Sequence, residues 1–296
     1  MTIASPCTGV CKLDDATGWC LGCGRAGEEM AGWGTRSEVE RGAIWGQIPD
    51  RLHQLGVACR RLPWTTDDIR AFVASTLHSG RGTWVMGVVG AVAEFTAAPG
   101  ETVTQHSAGD DLVARTRNGA IRMTLNDDIR ALTFDPPGTR AEPRIVLAVK
   151  RERGRVPLAQ GVSDLGPDSG IFENEETAHL FDLGLGRKEG RFCVRLGDGP
   201  ARQALRATEG LPFIEALPRI GAALVGESPT RVVDSALGRI EVQGQIPPPD
   251  ARSPDGPHTH LLPDHLATGR ALPVGMDLPR SYLPGAVYYP PNPPRA

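Results

Sequence analysis

Two stretches in the first 80 residues carry the spacing of amphipathic helices. In the first, Ser37 followed by Glu40 is a capping box, and Pro49 lies where a helix over about 37–47 would stop. In the second, Thr65 or Thr66 caps a helix that ends at Gly80. The apolar positions that recur at helical spacing are Val39, Ala43, Ile44, Ile48, Ile69, Phe72, Val73 and Leu77.

From Trp84 onward the period changes from helical to extended. The pattern predicts one buried strand over 83–95 and a hairpin that turns at Asn118-Gly119, a pair favoured in two-residue turns. Counting outward from that turn places Arg115 opposite Arg122. Because like charges directly opposite are unfavourable, the two arginines define a candidate anion site, with neighbouring aspartates as the alternative partners.

Later segments mix both patterns without regular alternation. We expect a helix over 173–183, a helix or strand over 214–225 interrupted at Pro218, and an edge hairpin over 231–242. Further strands are predicted over 130–134, 145–150 and 192–196, with a helix over 201–208. This mixture favours an α+β fold over a doubly wound one.

The C-terminal segment is rich in proline. Half of the 26 prolines lie from Gln245 onward. Proline cannot donate to a sheet ladder or continue a helix, so the segment cannot build a continuous helix or a central strand. We expect an extended strap over the larger domain, anchored by Tyr282, Tyr288 and Tyr289.

Composition indicates a folded chain of about two domains. The 296 residues are 40% hydrophobic and 23% charged, with a net charge of −3. Residues 1–62 hold seven basic and seven acidic side chains, which argues against the basic face that nucleic acid requires. The longest apolar run, 84–93, is short of the roughly 20 residues of a membrane span. We expect a cytoplasmic protein without a membrane segment. Whether it binds a protein partner is left open by the sequence.

Four of the six cysteines lie within the first 23 residues, as Cys7-x3-Cys11 and Cys20-x2-Cys23. Two such loops facing each other form a tetrahedral cage of four sulfurs. The alternative is two disulfides, which the lack of a visible secretory signal disfavours. The spacing therefore predicts a metal site. An all-sulfur site suits zinc, a mononuclear iron ion and an iron–sulfur cluster alike.

The residues between and beside these cysteines suit such a site. Lys12 and Arg25 are placed to offset the negative charge of the thiolates. Sharp turns, with amide N–H groups aimed at sulfur, are allowed by Gly9, Gly22 and Gly24. Cys59 is isolated and is expected to be a small buried apolar residue, although the adjacent Arg60 and Arg61 have the charge that lowers a thiol pKa.

The cysteine segment resembles a bacterial family. The likeness lies in Ser5-Pro-Cys7-Thr-Gly-Val-Cys11, Gly18-Trp-Cys20-Leu-Gly-Cys23-Gly-Arg25, Glu28–Trp33 and Ser37–Trp45. The family is catalogued as domain of unknown function 1289, and its members are described as predicted iron–sulfur proteins. The resemblance covers about residues 4–52. It implies metal binding by the four cysteines, implies no reaction, and does not decide between zinc and iron.

One histidine cluster stands apart, formed by His258, His260, Asp264 and His265. On an extended segment, His-x-His places both rings on one side, and imidazoles with a carboxylate suit a transition metal. The cluster is a candidate second metal or haem site. The alternative is a histidine-containing turn in the proline-rich strap.

Residues 83–150 faintly resemble bacterial haem-utilisation proteins. The likeness rests on Ala91-Val-Ala-Glu-Phe95 and on the strand Leu112–Asn118. It implies a split-barrel-like α+β domain. It leaves His106, His179 or His258 as the haem ligand.

These patterns divide the chain into three parts: a four-cysteine metal-binding module over 1–55 with one helix, a linker over 56–66, and an α+β domain over 67–296 that ends in the strap from 245. The expected function is metal binding in an accessory or interaction role. The alternatives are an iron- or haem-handling protein or metalloenzyme with its pocket in the larger domain, and an electron-transfer module fused to an enzyme domain. The phosphate-loop, dinucleotide, hydrolase and zinc-protease motifs are missing, so the sequence leaves open whether the protein is an enzyme.

Overall fold

A computed structural model of the chain describes residues 3–88, 91–133, 143–154, 156–157, 159–172, 178–186, 190–246, 258–261 and 278–291, with backbone alone at 88, 91 and 258–261. The helices are α1 (Gly27–Ala31), α2 (Glu38–Gln54), α3 (Thr66–Ser79), α4 (Pro200–Arg206) and α5 (Phe213–Glu227), with a 3-10 turn at Trp33–Thr35. The first eight strands are β1 (Arg60–Arg61), β2 (Thr83–Val88), β3 (Ala91–Phe95), β4 (Thr104–Ala108), β5 (Asp111–Arg115), β6 (Gly119–Thr124), β7 (Ile129–Thr133) and β8 (Ile145–Lys150). The others are β9 (Ser163–Pro167), β10 (His179–Asp182), β11 (Gly190–Leu196), β12 (Thr230–Ser235), β13 (Gly238–Val242), β14 (His258–Leu261) and β15 (Tyr282–Tyr289).

The strands form two antiparallel sheets that pack face to face. One runs β1-β7-β8-β15-β2-β3-β14 and the other β4-β5-β6-β13-β12-β11-β10-β9. Alternate side chains enter the shared core, as Trp84 and Met86 do from β2 and Ile121 and Met123 from β6. Neither sheet closes on itself among the described strands. The predicted α+β class is confirmed, as a β-rich domain behind a small N-terminal region.

Three helices complete the core of the β-rich domain. Thr65 and Asp68 form the capping box of α3, and Gly80 ends it in the left-handed conformation, as predicted. This helix buries Ile69, while α4 and α5 contribute Leu205 and Ile220. Each fully buried aliphatic side chain contributes about 1.5–3 kcal/mol. None of the helices in the described part of the chain has the length and apolar character needed to cross a membrane.

Two helices continue through prolines that were predicted to end or interrupt them. α2 has the predicted capping box of Ser37 and Glu40 but extends past Pro49 to Gln54. Proline within a helix costs about 3 kcal/mol. Burial of Ile48 and Leu52, each 1% exposed, offsets that cost. In the same way α5 passes through Pro218 without a break.

The predicted hairpin register is wrong by two positions. Arg115 pairs with Ala120, and Arg122 with Val113. The turn is centred one residue earlier, because Thr116 N–H donates to the Gly119 carbonyl at 2.8 Å. A shift of two preserves the alternation of faces, so the predicted apolar face is right. Arg115 and Arg122 are therefore not directly opposite each other, as the anion site required, but diagonal neighbours on the two strands.

Several predicted elements are corrected by their neighbours in the sheets. Residues 83–95 form two paired strands rather than one. His179–Asp182 is a strand, not part of a helix, while 173–177 lie outside the described residues. The β12–β13 hairpin is central rather than at an edge. The supposed linker contains β1, which pairs with β7, and strands β4 and β9 were missed.

Part of the predicted strap is a central strand, while residues 247–257 and 262–277 lie outside the described residues. β15 lies between β8 and β2 and pairs with both. Its register shifts between Pro284 and Ala286, which accommodates the missing N–H of the proline. All three predicted tyrosine anchors lie in this strand, and two of them, Tyr282 and Tyr288, are buried.

Candidate metal centre

The second cysteine pair lies in a tight turn of the kind that Cys-x2-Cys predicts. Backbone N–H groups of Cys23 and Gly24 donate to the Cys20 carbonyl at 3.3 and 2.8 Å. Gly24 has a φ of 70°, which glycine adopts without strain. The strand-like pairing of Leu13 with Cys20 then brings the segment after Cys11 alongside this turn.

The first cysteine loop packs directly against that turn. The Thr8 hydroxyl donates to the Gly22 carbonyl at 3.0 Å, and both groups are buried. A Cβ on Gly22 would lie 2.5 Å from Thr8 Oγ1, so only glycine allows the two loops to approach this closely. Gly9 N–H donates to Cys7 Sγ at 3.4 Å. The predicted role of these glycines is confirmed in close approach and in backbone turns.

The thiols of Cys11, Cys20 and Cys23 differ in how readily they ionise. Burial opposes ionisation of Cys20, but the backbone N–H groups of Gly22 and Cys23 donate to its sulfur and bring its pKa below the ordinary value. The neighbouring charge of Cys7 raises the pKa of Cys11. Burial raises the pKa of Cys23, against the effect of Arg25. Cys20 also acts on Cys11 across the two loops, and of Cys11, Cys20 and Cys23 it is Cys20 whose pKa is lowered.

Cationic side chains surround the cysteine loops. Arg25 is 4% exposed, donates through Nε to Cys23 Sγ at 3.4 Å, and stacks over Trp33. Lys12, which was also predicted to offset thiolate charge, has an exposed side chain. Its backbone carbonyl accepts from Leu21 N–H. Arg25 is therefore the cation of the module that contacts a cysteine.

Helix α2 is attached to the second turn by an ion pair. Arg51 binds Glu29 through two contacts of 2.6 and 3.1 Å and also donates to the Gly24 carbonyl at 3.2 Å. Burial works against ionised Glu29, but the Arg51 hydrogen bonds lower its pKa below the ordinary value. The helix therefore supports the cysteine turn through polar contacts as well as through its own apolar side.

The first loop also contacts the β-rich domain. Arg61 of β1 donates through Nη1 to the carbonyls of Ser5 and Cys7, and the Ser281 hydroxyl donates to the Thr8 carbonyl. Burial lowers the pKa of Arg61 to about 10. These contacts join residues 54 and 273 positions apart. Separations of that size leave no local pattern, so sequence reasoning missed both residues.

The donor chemistry of the module fits a soft metal, while the side chains are not gathered into a finished cage. All six cysteines are described and all are free thiols. Among the described residues there is no group of three or more His, Cys, Asp or Glu side chains placed to hold a metal ion. The thiols instead form two neighbouring pairs, Cys7 with Cys11 and Cys20 with Cys23.

The other candidate residues are not brought together into a site. Arg115 and Arg122 share the outer face of their sheet, and Arg115 donates to the Phe172 carbonyl at 3.4 Å. Cys59 is the small buried residue that was predicted, packed beside β7, β8 and β15, where burial raises its pKa to about 12 despite the adjacent arginines.

The histidines are scattered over both sheets. His106 is exposed on the outermost described strand, β4, and His179 is held by Asp164 at 2.8 Å. His258 pairs through its backbone with Glu94, and His260 with Val92. Asp264 and His265 lie outside the described residues. His106 and His179 lie in one sheet and His258 in the other, and a haem ligand among them stays a prediction.

Fold and site together define a cysteine-rich protein in which a small thiol-bearing module lies on a β-rich domain. Residues 68–296 match the family described as "Family of unknown function (DUF6925)", and because this match spans most of its length the chain belongs to that family. Residues 5–52 match "Protein of unknown function (DUF1289)", which confirms the resemblance seen in the sequence. Comparisons with curated proteins and with solved structures found no match.

Proposed function

We propose that this protein binds one metal centre through Cys7, Cys11, Cys20 and Cys23, as a zinc ion, an iron ion or an iron–sulfur cluster, in an accessory or interaction role. The observation that carries the proposal is the approach of the two cysteine loops, held together by the buried Thr8–Gly22 hydrogen bond. A metal bound by the four cysteines would cross-link the two loops.

Each part of the module has a defined task in this proposal. The backbone N–H groups of Gly22 and Cys23 lower the pKa of Cys20 against the effect of burial, which favours the thiolate that ligates metal. Arg25 offsets the negative charge that four thiolates leave around a divalent ion. When bound, zinc would supply a structural cross-link, whereas iron would add the capacity to carry an electron.

The location and the division of the chain are part of the same proposal. Free thiols throughout the described chain are what a reducing compartment maintains, which supports a cytoplasmic protein. The module is proposed to span 1–55 and the β-rich domain 67–296, with 56–66 between them. Because β1 pairs with β7, residues 60–61 of this segment form part of the seven-stranded sheet of the β-rich domain, which argues against a free linker.

The identity of the metal is tested by purifying the full chain without oxygen and measuring metal content, acid-labile sulfide and the absorption spectrum. One zinc per colourless chain identifies structural zinc. Iron without sulfide identifies a mononuclear centre, and iron with sulfide identifies a cluster. A chain that holds none of these, and takes up neither zinc nor iron when they are supplied, contradicts the proposal.

Matched cysteine variants assign the ligands. Cys20→Ser should abolish stoichiometric metal binding, because it removes the thiol that the backbone prepares for ionisation. Cys59→Ser is the control, since the Cys59 side chain packs in an apolar cluster with side chains of β7, β8 and β15. Equal metal content in the two variants would exclude Cys20 as a ligand.

A further inference from the structure

The loop that carries Cys7 is held from outside its own module. Arg61 Nη1 donates to the carbonyl of Ser5 and, at 3.2 Å, to that of Cys7. The Ser281 hydroxyl donates to the carbonyl of Thr8. Three of four consecutive carbonyls in a ligand-bearing loop are thus bound by side chains of the β-rich domain.

The backbone of Arg61 and of Ser281 is hydrogen-bonded to neighbouring segments of the β-rich domain. Arg61 belongs to β1 and pairs with Leu132 of β7. Ser281 directly precedes β15, and its carbonyl accepts from Arg151 N–H at 2.8 Å. The next residue, Tyr282, is 6% exposed and pairs with Lys150. The contacts on the cysteine loop are therefore tied to two strands of the seven-stranded sheet.

The fit between the loop and the domain is close. A Cβ on Gly9 would lie 2.8 Å from Ser281 Oγ, and Gly9 has a φ of 80°. Arg61 is 8% exposed, and no carboxylate among the described residues forms an ion pair with it. Its buried charge faces carbonyl oxygens of the loop that begins at Ser5 and includes Cys7.

We propose that Arg61 and Ser281 are positioning residues of the four-cysteine centre, which couple metal binding in the module to β1 and β15 of the β-rich domain. This rests on the proposed function. Outer contacts of this kind orient the ligands of a metal centre. A cation buried against the loop also stabilises the negative charge of a thiolate centre. Because such coupling is reciprocal, metal binding in turn steadies the two strands.

The test uses the metal-free full chain with Co²⁺ and Zn²⁺ as probes. Arg61→Met is expected to weaken Co²⁺ binding by about 10- to 100-fold and to alter the thiolate-to-cobalt absorption band. Arg61→Lys keeps the charge and should lose less, and Ser281→Ala should lose least. The control is Arg206→Met, whose side chain is 51% exposed and paired with Asp164.

Hydrogen exchange supplies the readout of coupling. In the wild-type chain, Zn²⁺ should slow amide exchange at 60–62 and 282–289, and Arg61→Met should abolish that slowing. If circular dichroism shows that Arg61→Met is unfolded, Arg61→Lys and Ser281→Ala decide the question in its place.

The outcomes separate the two proposals. A wild-type chain that binds Co²⁺ through thiolates, with unchanged affinity in the Arg61 and Ser281 variants and no exchange response in β15, overturns the positioning role and leaves metal binding intact. A wild-type chain that binds neither Co²⁺ nor Zn²⁺ overturns both.

Discussion

The cysteine module and the β-rich domain obtain their order from different sources. In the module, one small cluster of Ile44, Trp45, Ile48 and Leu52 forms the buried apolar core. The β-rich domain buries a continuous core drawn from both sheets and from α3, α4 and α5. A domain with a large core can be stable through burial alone, whereas a segment as small as the module needs cross-links or metal.

Two buried arginines, one in the β-rich domain and one beside the module, have different kinds of partner. In the β-rich domain, Arg239 is surrounded by Asp234, Asp168 and Glu241, all within 3.4 Å. Burial works against its charge, but these carboxylates raise its pKa. Arg61, beside the module, contacts carbonyls instead. Arg231 of β12 is also buried against carbonyls, of Pro229 and Gly244, but these belong to its own domain. Arg61 differs in that its carbonyl partners belong to the cysteine loop.

The largest effect is expected from removing the metal. Cys20→Ser should remove amide protection across residues 5–35, because the two loops lose their cross-link. Strands β5, β6, β12 and β13 should keep theirs. Hydrogen exchange followed by mass spectrometry measures both regions at once. Loss of protection in the sheets as well would show that the module and the domain are one folding unit.

Truncating the core of the β-rich domain comes next. Phe181 is 1% exposed, and Phe181→Ala should lower the free energy of unfolding by about 3–5 kcal/mol, measured by chemical denaturation. Metal content should not change. The matched change in the module, Leu52→Ala, should lower metal retention instead. If Phe181→Ala also releases the metal, the two cores are not independent.

The two capping boxes offer a comparison at smaller scale. Ser37 caps α2 of the module and Thr65 caps α3 of the domain through the same pattern of hydrogen bonds. Ser37→Ala and Thr65→Ala should each cost about 1 kcal/mol. Thermal unfolding of metal-free chains should show the Ser37 effect only in the module. An equal effect of both changes on one common transition would contradict the separation.

The smallest expected effect is a gain in stability. Gly46 lies inside α2 with open space around its Cα, so Gly46→Ala should stabilise the helix by about 0.5–1 kcal/mol. Gly24→Ala is the control, because its φ of 70° strains any other residue. Denaturation monitored at residues of α2 distinguishes them. Destabilisation by Gly46→Ala would mean that this side of the helix meets something outside the described chain.

Local signals predicted some elements accurately, since their causes lie within a few residues. The capping boxes at Ser37 and Thr65 and the left-handed Gly80 are examples. The residues of the β5–β6 hairpin that face the core were also predicted correctly, because a register shift of two residues leaves each side chain on the same face. The turn conformations of Gly9 and Gly24, both with positive φ, belong to the same class.

Proline was the signal that misled. Pro49 and Pro218 lie inside helices, and Pro284 lies in a central strand. In each case burial around the proline outweighs the local cost. For Pro284, a shift in register removes the conflict with the ladder. The local sequence shows where a proline destabilises a helix or strand, but not how much apolar surface is buried around it in the folded protein.

The sequence by itself determined the thiol chemistry of the first 23 residues, the helix starts and the alternating faces of the strands, because each depends on neighbours along the chain. The tertiary structure decided the order of strands in the two sheets and the insertion of β15 between β8 and β2. It also decided that Arg61 and Ser281 meet the Cys7 loop. Such contacts join residues far apart in the chain, and only the packing of the whole core selects them.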